Sequence, residues 1–225
     1  IDTKPAAATT AVTTSDVGYY PITLSGGTDN NYTINLVSGT MTVNMANLTV
    51  TANNLSKTYF DSNPALTLKY AGFRNTDNAS VIDLAPDLST TAITSSPAGT
   101  YPIAISGGSD NNYNFIYIDG TLTVNKAILT ATADNKTKNA GDPNPAFTIS
   151  YSGFKNSETK SVIDTQPTAT TTATSSSPAG TYPITVSGGL DNNYDFNYVS
   201  GTLTVQSTIQ SQTITFNTLT AKTYG

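Results

Sequence analysis

One run of residues returns twice at a fixed interval, and that interval confines the chain to a tandem array of small domains. Tyr20 through Gly27 (Tyr-Pro-Ile-Thr-Leu-Ser-Gly-Gly) recurs at Tyr101–Gly108 with two changes and at Tyr182–Gly189 with one, 81 residues apart each time. Asp29, Asn30, Asn31 and Tyr32 reappear at 110–113 and 191–194, and Gly39 reappears at 120 and 201. Asn63, Pro64 and Ala65 match Asn144, Pro145 and Ala146, while Gly72 and Phe73 match Gly153 and Phe154. So many matches without an insertion mark one supersecondary unit used repeatedly.

The register sets the expected boundaries. Ile1 aligns with Ile82 and Ile163, and Pro5 with Pro86 and Pro167, so residues 1–46 correspond to the second half of a copy. Residues 47–127 and 128–206 are two complete copies, and 207–225 open a further repeat of a different kind. Only Lys126 and Ala127 join one expected last strand to the next first strand, a junction with little flexible reach. A semi-rigid, elongated array is expected, read as a piece of something longer.

Composition points to β structure. Of fifteen acidic residues only Glu158 is Glu, and Arg74 is the sole Arg, whereas helix surfaces draw on both. Leu48 to Ala52 alternate apolar residues with Thr, and Leu66, Leu68 and Tyr70 share one face, the period of a half-buried strand. Asn75 to Asp83 lack Gly and Pro and predict one short helix capped by Asn75 or Thr76. A Thr-rich edge strand is expected near Thr90 to Thr94. Pro102 places the strand Tyr101 to Ile105 at an edge or beside a bulge. Tyr113 to Ile118 and Thr121 to Asn125 predict a hairpin around Asp119 and Gly120. The expected class is therefore mostly β, as tandem small β-rich domains each with one short helix. A β-grasp-like arrangement is favoured, with an Ig-like sandwich as the alternative.

Catalysis has little to stand on. The chain contains no His and no Cys, and its many Ser and Thr have no partner base. No enzymatic role and no cofactor are expected, and Asp83 and Asp164 read as structural caps at the predicted helix end. The net charge of −5 argues against nucleic acid, and no run reaches the roughly 20 apolar residues of a membrane span, so no membrane insertion is expected. The repeated Gly-Gly-x-Asp-Asn-Asn loops make Asp29, Asp110 and Asp191 the candidate calcium ligands. Each loop supplies one carboxylate where calcium takes six to eight oxygens, so a side chain hydrogen-bonded to its own turn is the preferred role. Tyr101 and Tyr113 alternate with Ile and Phe and read as core, whereas a glycan site would need an exposed aromatic row repeated between copies.

The Tyr182–Gly189 segment, Gly201 to Val205, Asn144 to Ala146 and Ser152 to Phe154 resemble the MBG domain of the YGX type across residues 1–206. The Tyr-Gly-Asp stretch of that family stands here as Tyr59-Phe60-Asp61 and Ala140-Gly141-Asp142. The resemblance implies structural repeats in large secreted, extracellular proteins of the bacterial cell surface. Adhesins, adhesive filaments, type IX secretion and gliding motility are associated with such arrays. The implied role is a stalk that spaces a binding tip from the cell, with neighbouring repeats as partners, and glycans or other surface proteins as further ones. A glycan-binding module and an accessory spacer of a secreted enzyme are the alternatives. Residues Thr213 to Gly225 resemble the opening of an adjoining adhesin repeat. Phe154 is expected in the core, where truncation to Ala costs about 3–5 kcal/mol.

Overall fold

The computed structural model describes residues 1–208 and 212–225. Chain contacts divide it into two compact units, Ile1–Asn125 and Lys126–Gly225. The first holds β1 (Ala6–Thr9), β2 (Gly18–Ser25), β3 (Gly39–Val43), β4 (Ala46–Ala52), β5 (Leu55–Thr58), β6 (Leu68–Ala71), β7 (Asp87–Thr90), β8 (Gly99–Ser106), β9 (Tyr113–Ile118) and β10 (Gly120–Asn125). The second holds β11 (Ala127–Ala133), β12 (Lys136–Asn139), β13 (Ile149–Ser152), β14 (Thr168–Thr171), β15 (Gly180–Ser187), β16 (Tyr194–Val199) and β17 (Gly201–Gln206). The expected segment 207–225 includes 209–211, which lie outside the described residues, and 212–225 carry no strand.

Each complete copy is a sandwich of two sheets. Sheet order is β6-β4-β9 and β5-β10-β8-β7 in one copy, and β13-β11-β16 and β12-β17-β15-β14 in the other. Val50 and Ala52 from the three-stranded sheet share a buried cluster with Ile103, Ile105 and Leu122 from the four-stranded one, and Ala131 and Ala133 meet Ile184, Val186, Leu203 and Val205 equivalently. Burying each large aliphatic side chain contributes about 1.5–3 kcal/mol, which is why the Thr-alternating strands hold together without disulfides. The β-grasp expectation fails here: a second sheet, rather than a helix, covers the first. The predicted helix shrinks to three-residue 3-10 turns, Ala79–Val81 and Lys160–Val162, capped by Asn78 and Thr159, with no buried residue in either. A nine-residue stretch without an apolar stripe does not repay helix nucleation, and Asn75 sits at φ +52°, outside the helical region.

The expected hairpin at Asp119 and Gly120 is also absent. β9 pairs with β4 in one sheet, while β10 pairs with β5 and β8 in the other. The chain runs straight through this point and changes sheet. None of Asp119, Gly120 or their counterparts has the positive φ that a two-residue hairpin turn needs. Glycine is required for a different reason: a Cβ on Gly120 would lie 2.7 Å from the carbonyl oxygen of Ala52, where the opening segment also crosses between sheets.

Pro102 lies inside the sheet, in β8 between β7 and β10. Its counterpart Pro183 shows how this is tolerated. The Pro183 carbonyl accepts from the Thr171 hydroxyl at 2.7 Å, so the Pro nitrogen points to the same side, just past the last residue of the short edge strand β14. The missing N–H therefore costs no ladder bond.

Residues 1–43 form the sheet β1-β2-β3, which repeats the β7-β8-β10 pairing. The stretch 32–37, equivalent to β9, forms no strand. In the complete copies that strand pairs with β4 or β11, and no described residue supplies the equivalent partner. Ile22 and Leu24 accordingly stay half-buried, whereas Ile103 is fully enclosed.

Candidate functional site: the Asp-Asn-Asn loop and the joint it makes

Each Asp-Asn-Asn-Tyr segment follows the long strand β2, β8 or β15 and leads into the segment that closes the copy. Asp110 Oδ1 accepts from the backbone N–H of Asn112 (2.7 Å) and Tyr113 (2.9 Å). Asp191 Oδ1 accepts from Asn193 (2.7 Å) and Tyr194 (2.9 Å), and Asp29 Oδ1 from Asn31 (2.8 Å). The Ile1 ammonium beside Asp29, together with the Asn31 N–H, holds that carboxyl below the usual carboxylate range. Three candidate calcium ligands thus sit in turns closed by their own side chains.

A second carboxylate reaches each loop from 27 positions upstream, a feature the sequence did not reveal. Asp83 Oδ2 accepts from Asn111 N–H at 3.0 Å, and Asp164 Oδ2 from Asn192 N–H at 3.0 Å. Asp2 does the same for Asn30 at 2.8 Å. Asp83 and Asp164 therefore cap no helix; they stitch two loops together. Among the described residues no group of three or more Asp, Glu, His or Cys side chains converges as metal ligands would.

The tyrosine that ends the motif anchors the strap that sequence reasoning expected to be helical. Tyr113 is buried; its hydroxyl donates to Asp77 at 2.7 Å and accepts from Arg74 N–H at 2.8 Å. Burial, then the Asp77 carboxylate, push its pKa up. Tyr194 repeats the arrangement with Glu158 (2.6 Å) and Lys155 N–H (2.8 Å), which gives the chain's only Glu its role. Phe73 and Phe154 meet these rings edge-on at 5.5 and 5.6 Å. Both Phe rings are half-buried and belong to neither central cluster, so the expectation for Phe154 is corrected to the sheet's margin. Two aromatic rows repeat between copies: Tyr113 and Tyr194 are almost fully enclosed and pack the fold, whereas Tyr117 and Tyr198 stand partly exposed beside Phe115 and Phe196.

Asn112 extends the loop toward the preceding half-copy. Its Oδ1 accepts from Val17 N–H at 2.8 Å, and its Nδ2 donates to Asp16 Oδ1 at 2.9 Å. Its backbone carbonyl accepts from Ala46 N–H, the first residue of β4. One side chain therefore clasps the β1–β2 connection to the start of the next copy. The cleft beside it, about 480 Å³, is lined by Asp16, Asp77, Asp110, Arg74 and their neighbours. Asp16 is held by Asn112, Asp77 by Tyr113, and Asp110 by its own turn. Nothing here pairs a nucleophile with a base. The geometry is that of a joint.

Residues 2–42, 48–123 and 129–204 match the family described as MBG domain (YGX type). No curated protein matches the chain.

Proposed function

Since the chain belongs to the MBG domain (YGX type) family through three tandem stretches, we propose that it is a run of structural repeats that spaces a binding element away from the bacterial surface. One observation carries this reading: the residues repeated most faithfully are spent on holding the copies themselves and, at Asn112, the joint with residues 1–43. Asp110 closes its own turn, Tyr113 secures the strap, and Asn112 clasps the preceding half-copy. Side chains so committed leave the repeat little with which to bind or transform a small molecule.

A spacer of this kind works outside the cell, on a secreted adhesin or filament of the sort exported by type IX secretion and used in attachment or gliding. Its partners are neighbouring repeats, and its length sets the distance over which an adhesive tip acts. Small-angle scattering of the chain should give an elongated particle. A compact, near-spherical profile would overturn the reading, and saturable binding on a glycan array would replace it with the lectin alternative.

A further inference from the structure

The segment that opens a complete copy and the segment that closes it lie side by side. β4 pairs with β9 in parallel from Ala46↔Tyr113 to Thr51↔Ile118, and β5 pairs with β10 in parallel from Leu55↔Leu122 to Thr58↔Asn125. Every one of these pairs is 67 positions apart. The two strand pairs are thus a single parallel ladder that passes from one sheet to the other without losing register. The crossing itself is bonded: Asn54 Oδ1 accepts from Thr121 N–H at 2.8 Å. Backbone bonds from Ala46 to Asn112 (2.9 Å) and from Tyr59 to Asn125 (2.8 Å) extend the ladder at both ends. The last copy repeats the design, with Ala127↔Tyr194 through Asn139↔Gln206 and an Asn135–Thr202 bond of 2.7 Å at the crossing.

Linkers between copies are short: Asn44 and Met45 separate β3 from β4, and Lys126 alone separates β10 from β11. Tension along the chain therefore enters a copy at Ala46 and leaves at Asn125. It pulls the opening segment backward by its first residue and the closing segment forward by its last. The ladder bonds run across that pull, so all of them are loaded together. Two antiparallel terminal strands would instead be peeled apart one bond at a time.

We propose that each complete copy is a load-bearing unit whose parallel terminal ladder carries tension in shear. Buried lysines reinforce it. Lys57 on β5 donates from Nζ to the carbonyls of Asp61 (3.0 Å) and Ile93 (2.6 Å), and Lys138 on β12 to those of Asp142 (3.0 Å) and Thr174 (2.6 Å). Each fastens the outer strand of the ladder to the connection that precedes β8 or β15. That a load exists in the cell rests on the spacer reading; the mechanical property of the ladder does not.

The full chain lacks cysteine, so engineered pairs can carry handles for single-molecule pulling. Asn44→Cys with Asn125→Cys loads the ladder in shear. Asn44→Cys with Asn111→Cys pulls both segments from the same end and peels it. At one loading rate the shear pair should rupture at several times the force of the peel pair. Adding Asn54→Ala should lower the shear force and leave the peel force unchanged. Equal forces in the two geometries, or a shear force indifferent to Asn54→Ala, would overturn the proposal. Scattering on the same chain separates the two ideas, because a compact particle with a strong shear response sinks only the spacer.

Discussion

Gly120→Ala tests the architecture at its narrowest point. A Cβ there would lie 2.7 Å from Ala52 O, 2.9 Å from Asn53 O and 3.0 Å from the Ala52 carbonyl carbon. All three are backbone atoms, so no side chain can swing aside. Ordinary van der Waals contact begins near 3.4 Å, and the two long segments would have to part where they cross between sheets. Overpacking of this kind costs about 1–3 kcal/mol. For a domain of roughly 80 residues each kcal/mol moves the melting point by about 4–8 °C, so the copy should melt roughly 5–20 °C lower.

Gly201→Ala should cost more, because its Cβ would press harder still on the Ala133 carbonyl oxygen. Gly39→Ala is the internal control. Its nearest neighbours are Ile22 side-chain atoms at 3.7 and 3.8 Å, and no opening segment crosses it. There the methyl should be neutral, or stabilising by about 0.4–1 kcal/mol through the lost freedom of the unfolded chain. Calorimetry gives the melting points, and deuterium exchange at the amides of β5 and β10 locates the damage. A Gly120→Ala chain that melts with the parent, or a Gly39→Ala chain that falls as far, would refute the crossing.

Lys57→Met should cost about 1–3 kcal/mol, because the carbonyls of Asp61 and Ile93 lose a buried donor; an unchanged urea midpoint would contradict this. Phe154→Ala should cost about 2 kcal/mol, less than the figure for a fully enclosed ring, since Phe154 is only half-buried against Tyr194. Hydrogen bonds from Ser150 first and Thr148 second hold the Asp134 carboxyl below the usual range. A depressed folded-state pKa supplies stability above the unfolded value near 4 and loses it as pH falls through the folded one. Acid should therefore weaken the copy that carries Asp134, and Asp134→Asn should remove that part of the pH dependence of the urea midpoint. Calcium against chelator should leave the melting point unmoved, since Asp110 and Asp191 are already hydrogen-bonded within their turns; an upward shift of several degrees would reinstate them as ligands.

Alternation along a strand tells which side chains face inward but not which sheet receives the strand. Leu48, Val50 and Ala52 are legible as an inward row, and so are Ile103 and Ile105. The pairing of β4 with β9 and of β5 with β10 is not, because its partners stand 67 residues apart. Asp119-Gly120 between two alternating runs has the same local signature whether the chain turns back or passes through a crossing. What decides is the approach of Ala52, which no local window contains. β5 escaped detection for a related reason. Its inward residues are Leu55 and Lys57, and Lys57, an apolar stem ending in an ammonium satisfied by carbonyls, breaks the apolar alternation.

The loop was half legible for a physical reason of the same kind. Asp followed by Asn-Asn closes a turn through bonds spanning two or three residues, which spacing alone reveals. The joint depends on Asn112 reaching Asp16 and Val17, 96 and 95 positions away in the chain. Its two bonds differ in what they demand. The bond to Val17 uses a backbone N–H, which any residue except Pro supplies. The bond to Asp16 needs a side-chain acceptor, and Pro97 and Pro178 at the equivalent positions have none. At this joint the backbone bond therefore tolerates a change of side chain at Val17, while the bond to Asp16 does not tolerate one there.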